Sequence, residues 1–272
     1  MSILTDYHLH SSFSGDSETP MEDMIQKAIS IGLKTICFTE HMDMDYPLPT
    51  SDSSVSFEVN TDSYLYDLLK YKEKYSNIIQ LYFGIELGLQ PHIAKQNEAY
   101  AKSYDFDFIL GSSHISNKRD PYYSSFFEGR SEESAYREYF LSIIDNIKNY
   151  SYFDVYGHLD YVIRYGPNTN KNYSYQKYAD LFDEILKLLI QSGKGIEVNT
   201  AGLKYGLGQV HPSSDVIKRY KELGGDIITI GSDGHKTEHI AYKFSEVPDL
   251  LKSCGFHYYT IFKKRTPEFI KI

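Results

Sequence analysis

Short runs of apolar, β-branched and aromatic residues recur along the chain, at 3–8, 35–41, 80–87, 106–114, 153–158, 195–200 and 226–231. An eighth, weaker run covers 258–262. Most of them lack polar alternation, the pattern of strands buried on both faces of a sheet. Between them lie segments with the helical repeat. Met21, Met24, Ile25, Ala28 and Ile29 fall at i, i+3, i+4, i+7 and i+8, and Gly32 is placed to end that helix. Thr19-Pro20-Met21-Glu22 reads as a capping box with proline at the first helical position. Tyr178, Leu181, Phe182, Ile185 and Leu189 form the same stripe within 175–191, ahead of Gly193. Residues 213–223 repeat it and stop at Gly224-Gly225. The stretches 61–75, 93–103, 131–150 and 247–253 predict helices with less regular stripes.

A β-then-α unit repeating every 28 to 45 residues or so predicts parallel strands joined by right-handed crossovers. Seven or eight such units favour a closed α/β barrel over an open sheet. The 272 residues fit one barrel. No charge block, low-complexity tract or linker divides them, so a single domain over 1–272 is expected. The long polar insertions, 43–61 and 117–129, both follow strand ends.

The net charge of −9 argues against nucleic acid as a partner, because there is no basic surplus to displace counterions. No run approaches the roughly 18 apolar residues that would cross a bilayer, so no membrane partner is expected. The opening MSILTDYHLH lacks a basic segment followed by an apolar one, and Cys37 and Cys254 are too few for a disulfide scaffold. A reducing cytoplasm is the simplest expectation. Tyrosine is abundant, 26 against no tryptophan, and the sequence offers no reason for it.

The chemistry lies in where the ionisable residues fall. In a barrel the site forms at the carboxyl ends of the strands, and here those ends carry metal-type ligands. The first run delivers Asp6, His8 and His10 at period two, which predicts one shared face. Later runs end in Glu40-His41, Glu86, Ser113-His114, Gly157-His158, Asn199 and Asp233-Gly234-His235. Any one of these alone is ordinary. Together they would leave buried carboxylates and imidazoles unpaired, a cost that a cluster of divalent cations offsets. His92, His239 and His257 are read as structural, and His211 as structural or at the rim. No phosphate loop, nucleophile elbow or dinucleotide fingerprint is present. Cys37 lies within an apolar run and reads as core.

Asp6-Tyr7-His8-Leu9-His10 with Asp16 beyond resembles the first motif of the PHP (polymerase and histidinol phosphatase) superfamily. Thr39-Glu40-His41, Gly84-Ile85-Glu86, Ser113-His114, Gly157-His158 and Ser232-Asp233-Gly234-His235 resemble its later motifs, in order and over the whole chain. Length and the His8-to-Asp16 spacing are most similar to the histidinol-phosphate phosphatases of histidine biosynthesis. The resemblance implies a distorted (β/α)7 TIM-like barrel with three divalent metal ions. His8, His10, Glu86 and Asp233 would hold the first, and Glu86, His114 and His158 the second. Asp16, His41 and His235 would hold the third.

Six imidazoles and three carboxylates suit Zn²⁺, Mn²⁺ or Fe²⁺ better than Mg²⁺ or Ca²⁺. The expected activity is that of a metal-dependent phosphomonoesterase acting on a small phosphate monoester, L-histidinol phosphate, through a metal-bridging hydroxide. Asp233, Glu86 and His235 are the expected catalytic residues. The leaving group's proton is assigned either to Asp233 or to a water held by Asp16 and His235. For the substrate, Arg164 is placed to fork onto the phosphate, with Asn117 and Arg119 as rivals and Asn199 as a further donor. Asp160 and Asp43 would meet a cationic amino alcohol, and Tyr161 would pack on an imidazole. The alternatives are a phosphodiesterase or protein-tyrosine phosphatase of the same superfamily, a metal-dependent amidohydrolase, and a non-catalytic metal-binding module.

Overall fold

Seven of the apolar runs become parallel strands in the computed structural model, which describes residues 3–47 and 56–272. They are β1 (Thr5–Leu9), β2 (Thr35–Met42), β3 (Gln80–Gly88), β4 (Phe108–Ser112), β5 (Val155–Tyr156), β6 (Gly195–Asn199) and β7 (Ile228–Gly231). Each pairs with the next in chain order, and Gln80 is their one exposed residue. The connections carry α1 (Met21–Ser30), α2 (Thr61–Lys74), α3 (Ala94–Ser103), α4 (Glu132–Asn149), α5 (Ala179–Gln191), the short α6 (Ala201–Lys204), α7 (Ser214–Glu222) and α8 (Val247–Ser253). Residues 48–55 of the first polar insertion lie outside the described residues. None of the described helices is long and apolar enough to cross a membrane.

The helices bury the stripes their sequences predict. Met21, Met24, Ile25 and Ala28 of α1, and Leu181, Phe182, Ile185 and Leu189 of α5, all face the core. Each such large apolar chain contributes about 1.5–3 kcal/mol on burial. The capping box before α1 does not form: Pro20 occupies the cap position without a side-chain hydrogen bond. Thr19 Oγ1 instead donates to the His235 carbonyl at 3.0 Å, and Ser17 Oγ donates to the same oxygen at 2.9 Å. A local cap has been exchanged for a tie between the first and last loops of the barrel.

The sheet closes imperfectly. β1 and β7 share one bridge, Leu9 with Gly234, supported by His10 N→Gly234 O at 2.9 Å and Gly234 N→His8 O at 3.3 Å. Below it, the buried Asp6 carboxylate spans the gap, accepting from Ser232 N, Ser232 Oγ and Ala241 N. This corrects the expected alternation. The β1–β2 register shifts between Asp6 and Leu9, so Asp6 serves barrel closure while His8 and His10 face the interior of the site.

The eighth run is not an eighth barrel strand. β8 (Tyr258–Lys263) pairs antiparallel with β9 (Thr266–Lys271) in a separate hairpin. Its two-residue turn, Lys264-Arg265, has φ of 49° and 61° without glycine or asparagine, a strained pairing of turn and residue type. Tertiary bonds hold it: Lys264 N donates to Asp107 Oδ1, Arg265 N to Asp107 O, and the Arg265 guanidinium to Asp154. Phe262 packs on Phe108 at 5.2 Å, so the hairpin braces the amino-terminal end of the barrel.

The structure also gives the tyrosines a role. Buried phenols reach strand and loop carbonyls that the ladders leave over: Tyr64 donates to Phe38 O and Gly84 O, Tyr139 to Ser113 O, and Tyr7 to Phe262 O. A phenol fills core volume and satisfies a buried acceptor at once.

Candidate metal centre

At the carboxyl ends of the strands the structure gathers the nine residues expected as ligands. Glu86, at the end of β3, is the hub. Its Oε2 lies 3.2 Å from His8 Nε2, 3.4 Å from His10 Nε2 and 3.3 Å from His41 Nδ1. Its Oε1 lies 3.0 Å from His158 Nε2 and 3.3 Å from His114 Nε2. The two carboxylate oxygens therefore face two different sets of imidazoles, the geometry of a bridging group. Asp233 Oδ1 stands 3.8 Å from both His8 and His10, and Asp16 Oδ2 stands 3.0 Å from His235 Nε2 and 3.5 Å from His41 Nε2.

The outer hydrogen bonds fix how these rings point. Glu197 Oε1 lies 2.7 Å from His8 Nδ1, which places the proton on that nitrogen and the lone pair on Nε2. Ser14 Oγ donates to Glu40 Oε2, so it accepts from His10 Nδ1 at 3.0 Å and from His41 N. The His10 lone pair is thereby also at Nε2. The two Nε2 atoms meet at 3.1 Å, an arrangement that repels unless positive charge, a proton or a metal ion, sits against them. His158 Nδ1 is buried without a partner, while His41 Nδ1 and Asp43 Oδ2 at 3.3 Å, and His235 Nε2 and Asp16 Oδ2 at 3.0 Å, meet as ion pairs outside good hydrogen-bond geometry. Four groups of three ligand atoms lie within 4.8 Å of one another: His10, His41, His235; His8, His10, Asp233; His8, Glu86, His158; and His41, Glu86, His114. Convergent, mixed N/O donors fit divalent transition-metal ions.

Electrostatics point the same way. Burial alone would lower His8, but Glu197, Glu86 and Asp233 outweigh it and raise the ring well above the ordinary imidazole range. Burial, with His235 and His41 beside it, holds His10 well below that range. His114 is pushed up to about 10, because Asp43 and Glu86 outweigh burial. For Glu86, His8 and His114 overcome burial and hold the carboxyl well below its usual value. The cluster demands positive charge in a dry place, from protons or from metal ions.

A cleft of about 510 Å³ opens onto the cluster, lined by Arg164, Tyr161, Tyr122, Tyr165, Asp120 and Tyr205 among others. Three of the expected substrate contacts, Arg164, Tyr161 and Asp43, are on its wall. Tyr161 does pack on imidazoles, but on those of His158 and His114 at 5.0 and 5.5 Å. Asn199 donates to Glu197 Oε2 at 3.1 Å and approaches Asp233 Oδ2 at 3.5 Å, so it supports carboxylates of the centre.

Three expectations need correction and a fourth a change of role. Asn117 and Arg119 lie away from the cleft: Ser116 and Arg119 exchange backbone bonds around the left-handed Asn117 and Lys118, and Arg119 pairs with Glu138 of α4 at 2.8 Å. The turn carries both side chains off the strand axis. Asp160 is fully buried behind the cleft wall, held against His211 and the Ser213 amide, so an amine in the cleft does not reach it. Asp43 borders the cleft, yet its Oδ1 is bonded to His114 Nδ1 at 2.7 Å, and it sits where a Cβ on Gly88 would collide with it. It orients His114.

Sequence reasoning passed over Glu197 and Asp120. Glu197 left a signal, a carboxylate inside the apolar strand β6, and it bonds His8, the His158 amide and Asn199. Asp120, buried in the cleft, accepts from the Tyr46 hydroxyl and the Tyr122 amide, and burial raises its pKa. Nothing in its local sequence marks it.

The chain has well-matched relatives. Histidinol-phosphatase of Lactococcus lactis is 32% identical over 253 residues, 93% of this chain and 91% of that protein. A probable histidinol-phosphatase of Clostridium acetobutylicum is 32% identical over 255 residues, 93% and 94% of the two chains. The crystal structure of the Lactococcus lactis histidinol phosphate phosphatase complexed with zinc, L-histidinol and phosphate superposes with a TM-score of 0.87 at 30% identity, covering 97% of this chain and 98% of that one. A Listeria monocytogenes structure at 19% identity, covering 89% of this chain and 98% of that one, shares the fold with a TM-score of 0.74. With the PHP domain matching residues 6–201, on top of a seven-stranded barrel whose strand ends converge on Glu86, the chain belongs to the PHP domain family.

Proposed function

We propose that this protein is a metal-dependent histidinol-phosphatase of the cytoplasm, hydrolysing L-histidinol phosphate to L-histidinol and phosphate with three divalent ions. The observation that carries the reading is the convergence of His8 and His10 Nε2 atoms at 3.1 Å beside a two-sided Glu86, in a chain 30% identical to a protein solved with zinc, histidinol and phosphate. His8, His10, Glu86 and Asp233 would hold one ion, Glu86, His114 and His158 a second, and Asp16, His41 and His235 a third. The chemistry such ions supply is Lewis acidity toward phosphoryl oxygens and a lowered pKa for water.

The chain's own residues set up the rest. Arg164, with its Nη2 3.0 Å from Asp233 Oδ2, presents a planar guanidinium to the phosphate. Burial would raise Asp233, but His8 and Arg164 outweigh it and hold the carboxyl well below the usual range. An acid held ionised is a ligand and a poor proton donor, and Asp16 is held low in the same way, so the leaving oxygen would take its proton from a water held where Asp16 and His235 meet at 3.0 Å. The substrate's ammonium group would meet Asp120, a carboxylate on the cleft wall that already accepts from the Tyr46 hydroxyl and the Tyr122 amide.

Turnover of histidinol phosphate, p-nitrophenyl phosphate, bis-p-nitrophenyl phosphate and a phosphotyrosine peptide, each before and after chelation, tests this. Chelation-sensitive hydrolysis with a strong preference for histidinol phosphate is expected. Preference for the diester or the peptide would replace the proposal with its phosphodiesterase or tyrosine-phosphatase alternative.

A further inference from the structure

His211 stands outside the ligand cluster, yet it is fully buried and bonded through both ring nitrogens. Its Nε2 lies 3.0 Å from Arg164 Nε, and a guanidinium can only donate. The Nε2 atom is therefore the acceptor, and the ring proton sits on Nδ1, facing Asp160 Oδ1. Asp160 is itself anchored, its Oδ2 accepting the Ser213 amide at 3.0 Å. The ring is held from behind as well. His211 and Asn199 exchange two backbone bonds at 2.8 Å, and a Cβ on Gly202 would crowd the imidazole at 3.2 Å.

Arg164 is thus gripped on three sides. His211 takes its Nε, Asp233 takes Nη2, and the rings of Tyr161 and Tyr205 sandwich the guanidinium carbon at 5.0 and 4.8 Å. Its Nη1 makes no hydrogen bond among the described residues, and the side chain lines the cleft. An arginine beside a carboxylate ordinarily closes into a two-pronged pair using both edges of the fork. With Nε occupied by His211, Arg164 meets Asp233 through Nη2 alone, which leaves Nη1 for a ligand in the cleft that the side chain lines.

We propose that Asp160 and His211 are positioning residues for Arg164, holding the Nε edge of the guanidinium so that the remaining Nη1 receives the phosphate of a monoester next to Asp233. The inference deepens the phosphatase reading and rests on Arg164 contacting phosphate.

The test is a double-mutant cycle in the zinc-loaded enzyme, read as KM for histidinol phosphate and the inhibition constant of inorganic phosphate, with kcat and zinc content measured alongside. His211→Asn keeps a donor near Nδ1 and loses the acceptor for Arg164, whereas His211→Gln reaches the Nε2 position with an amide oxygen. Arg164→Met is expected to raise KM and the phosphate constant roughly tenfold or more. His211→Asn alone should raise both by a similar factor with zinc content unchanged, add nothing in the Arg164→Met background, and be largely reversed in His211→Gln. Asp160→Asn, a gentler change should His211→Asn fail to fold, is expected to give a smaller rise that also vanishes in the Arg164→Met background. Full additivity, or a His211→Asn enzyme with unchanged phosphate affinity while Arg164→Met is impaired, would overturn the positioning role alone. An Arg164→Met enzyme with unaltered phosphate affinity would overturn both it and the reading of Arg164 beneath it.

Discussion

The two ends of the barrel handle buried carboxylates in opposite ways. At the amino-terminal end, Asp107 accepts the amides of Phe83 and Lys264 at 3.0 and 3.1 Å, and Asp154 takes the Ile109 amide at 2.8 Å together with the Arg265 guanidinium. Each negative charge meets donors supplied by the chain. At the carboxyl end, Glu86, Asp16 and Asp43 face imidazoles instead. Arg164 and Lys204 are fixed cations nearby, and both are directed at Asp233, Lys204 at its carbonyl. The same residue type is structural where donors close around it and functional where they are withheld. A carboxylate left open among lone pairs is a request for a metal ion.

Substitutions at the two ends should therefore fail differently. The largest effect is expected for Glu86→Gln, which removes the bridging charge: kcat/KM falls on the order of a thousand-fold, about 4 kcal/mol of transition-state stabilisation, and bound metal is lost. Steady-state kinetics with elemental analysis checks it, and a metal-replete, active variant would remove Glu86 from the centre. Arg265→Ala should do the reverse, destabilising the fold by about 3 kcal/mol because Asp154 is left buried and unpaired, with activity per folded molecule nearly unchanged. Urea unfolding followed by active-site titration separates the two quantities. Glu197→Gln weakens the support behind His8 and should cost roughly 10- to 100-fold in metal affinity, measured by competition with a chelating dye.

The smallest effect lies on the helical shell. Hydrogen bonding to Arg219 lowers Asp183 to about 2. A depressed carboxylate stabilises the fold above its unfolded pKa, and that contribution is lost as pH falls through the folded value. The pair is partly exposed and screened, so Asp183→Asn should remove less than about 1 kcal/mol at pH 5, and less still toward pH 2. A loss that grows on acidification would contradict that assignment.

The parts legible in the sequence were those written along strands. Apolar runs placed β1 to β7 because a strand buried on both faces tolerates few polar residues, and a histidine or carboxylate at its end stands out. What depended on folding back was hidden. Thr19 looked like a helix cap until the His235 carbonyl came within reach, and the run at 258–262 looked like a barrel strand because a hairpin strand has the same composition. Asp160 and Asp43 were near the right place with the wrong role, since their partners come from segments 50 to 75 or so positions away, which local pattern cannot register. Asn117 and Arg119 were misplaced by two left-handed residues in one turn.

The account turns on cations binding where carboxylates and imidazoles have been left open. Crystals grown with zinc and measured on both sides of its absorption edge report this directly. The account predicts anomalous peaks in three places: among His8, His10, Glu86 and Asp233, among Glu86, His114 and His158, and among Asp16, His41 and His235. A zinc-saturated crystal with no peak within coordinating distance of Glu86 would contradict it.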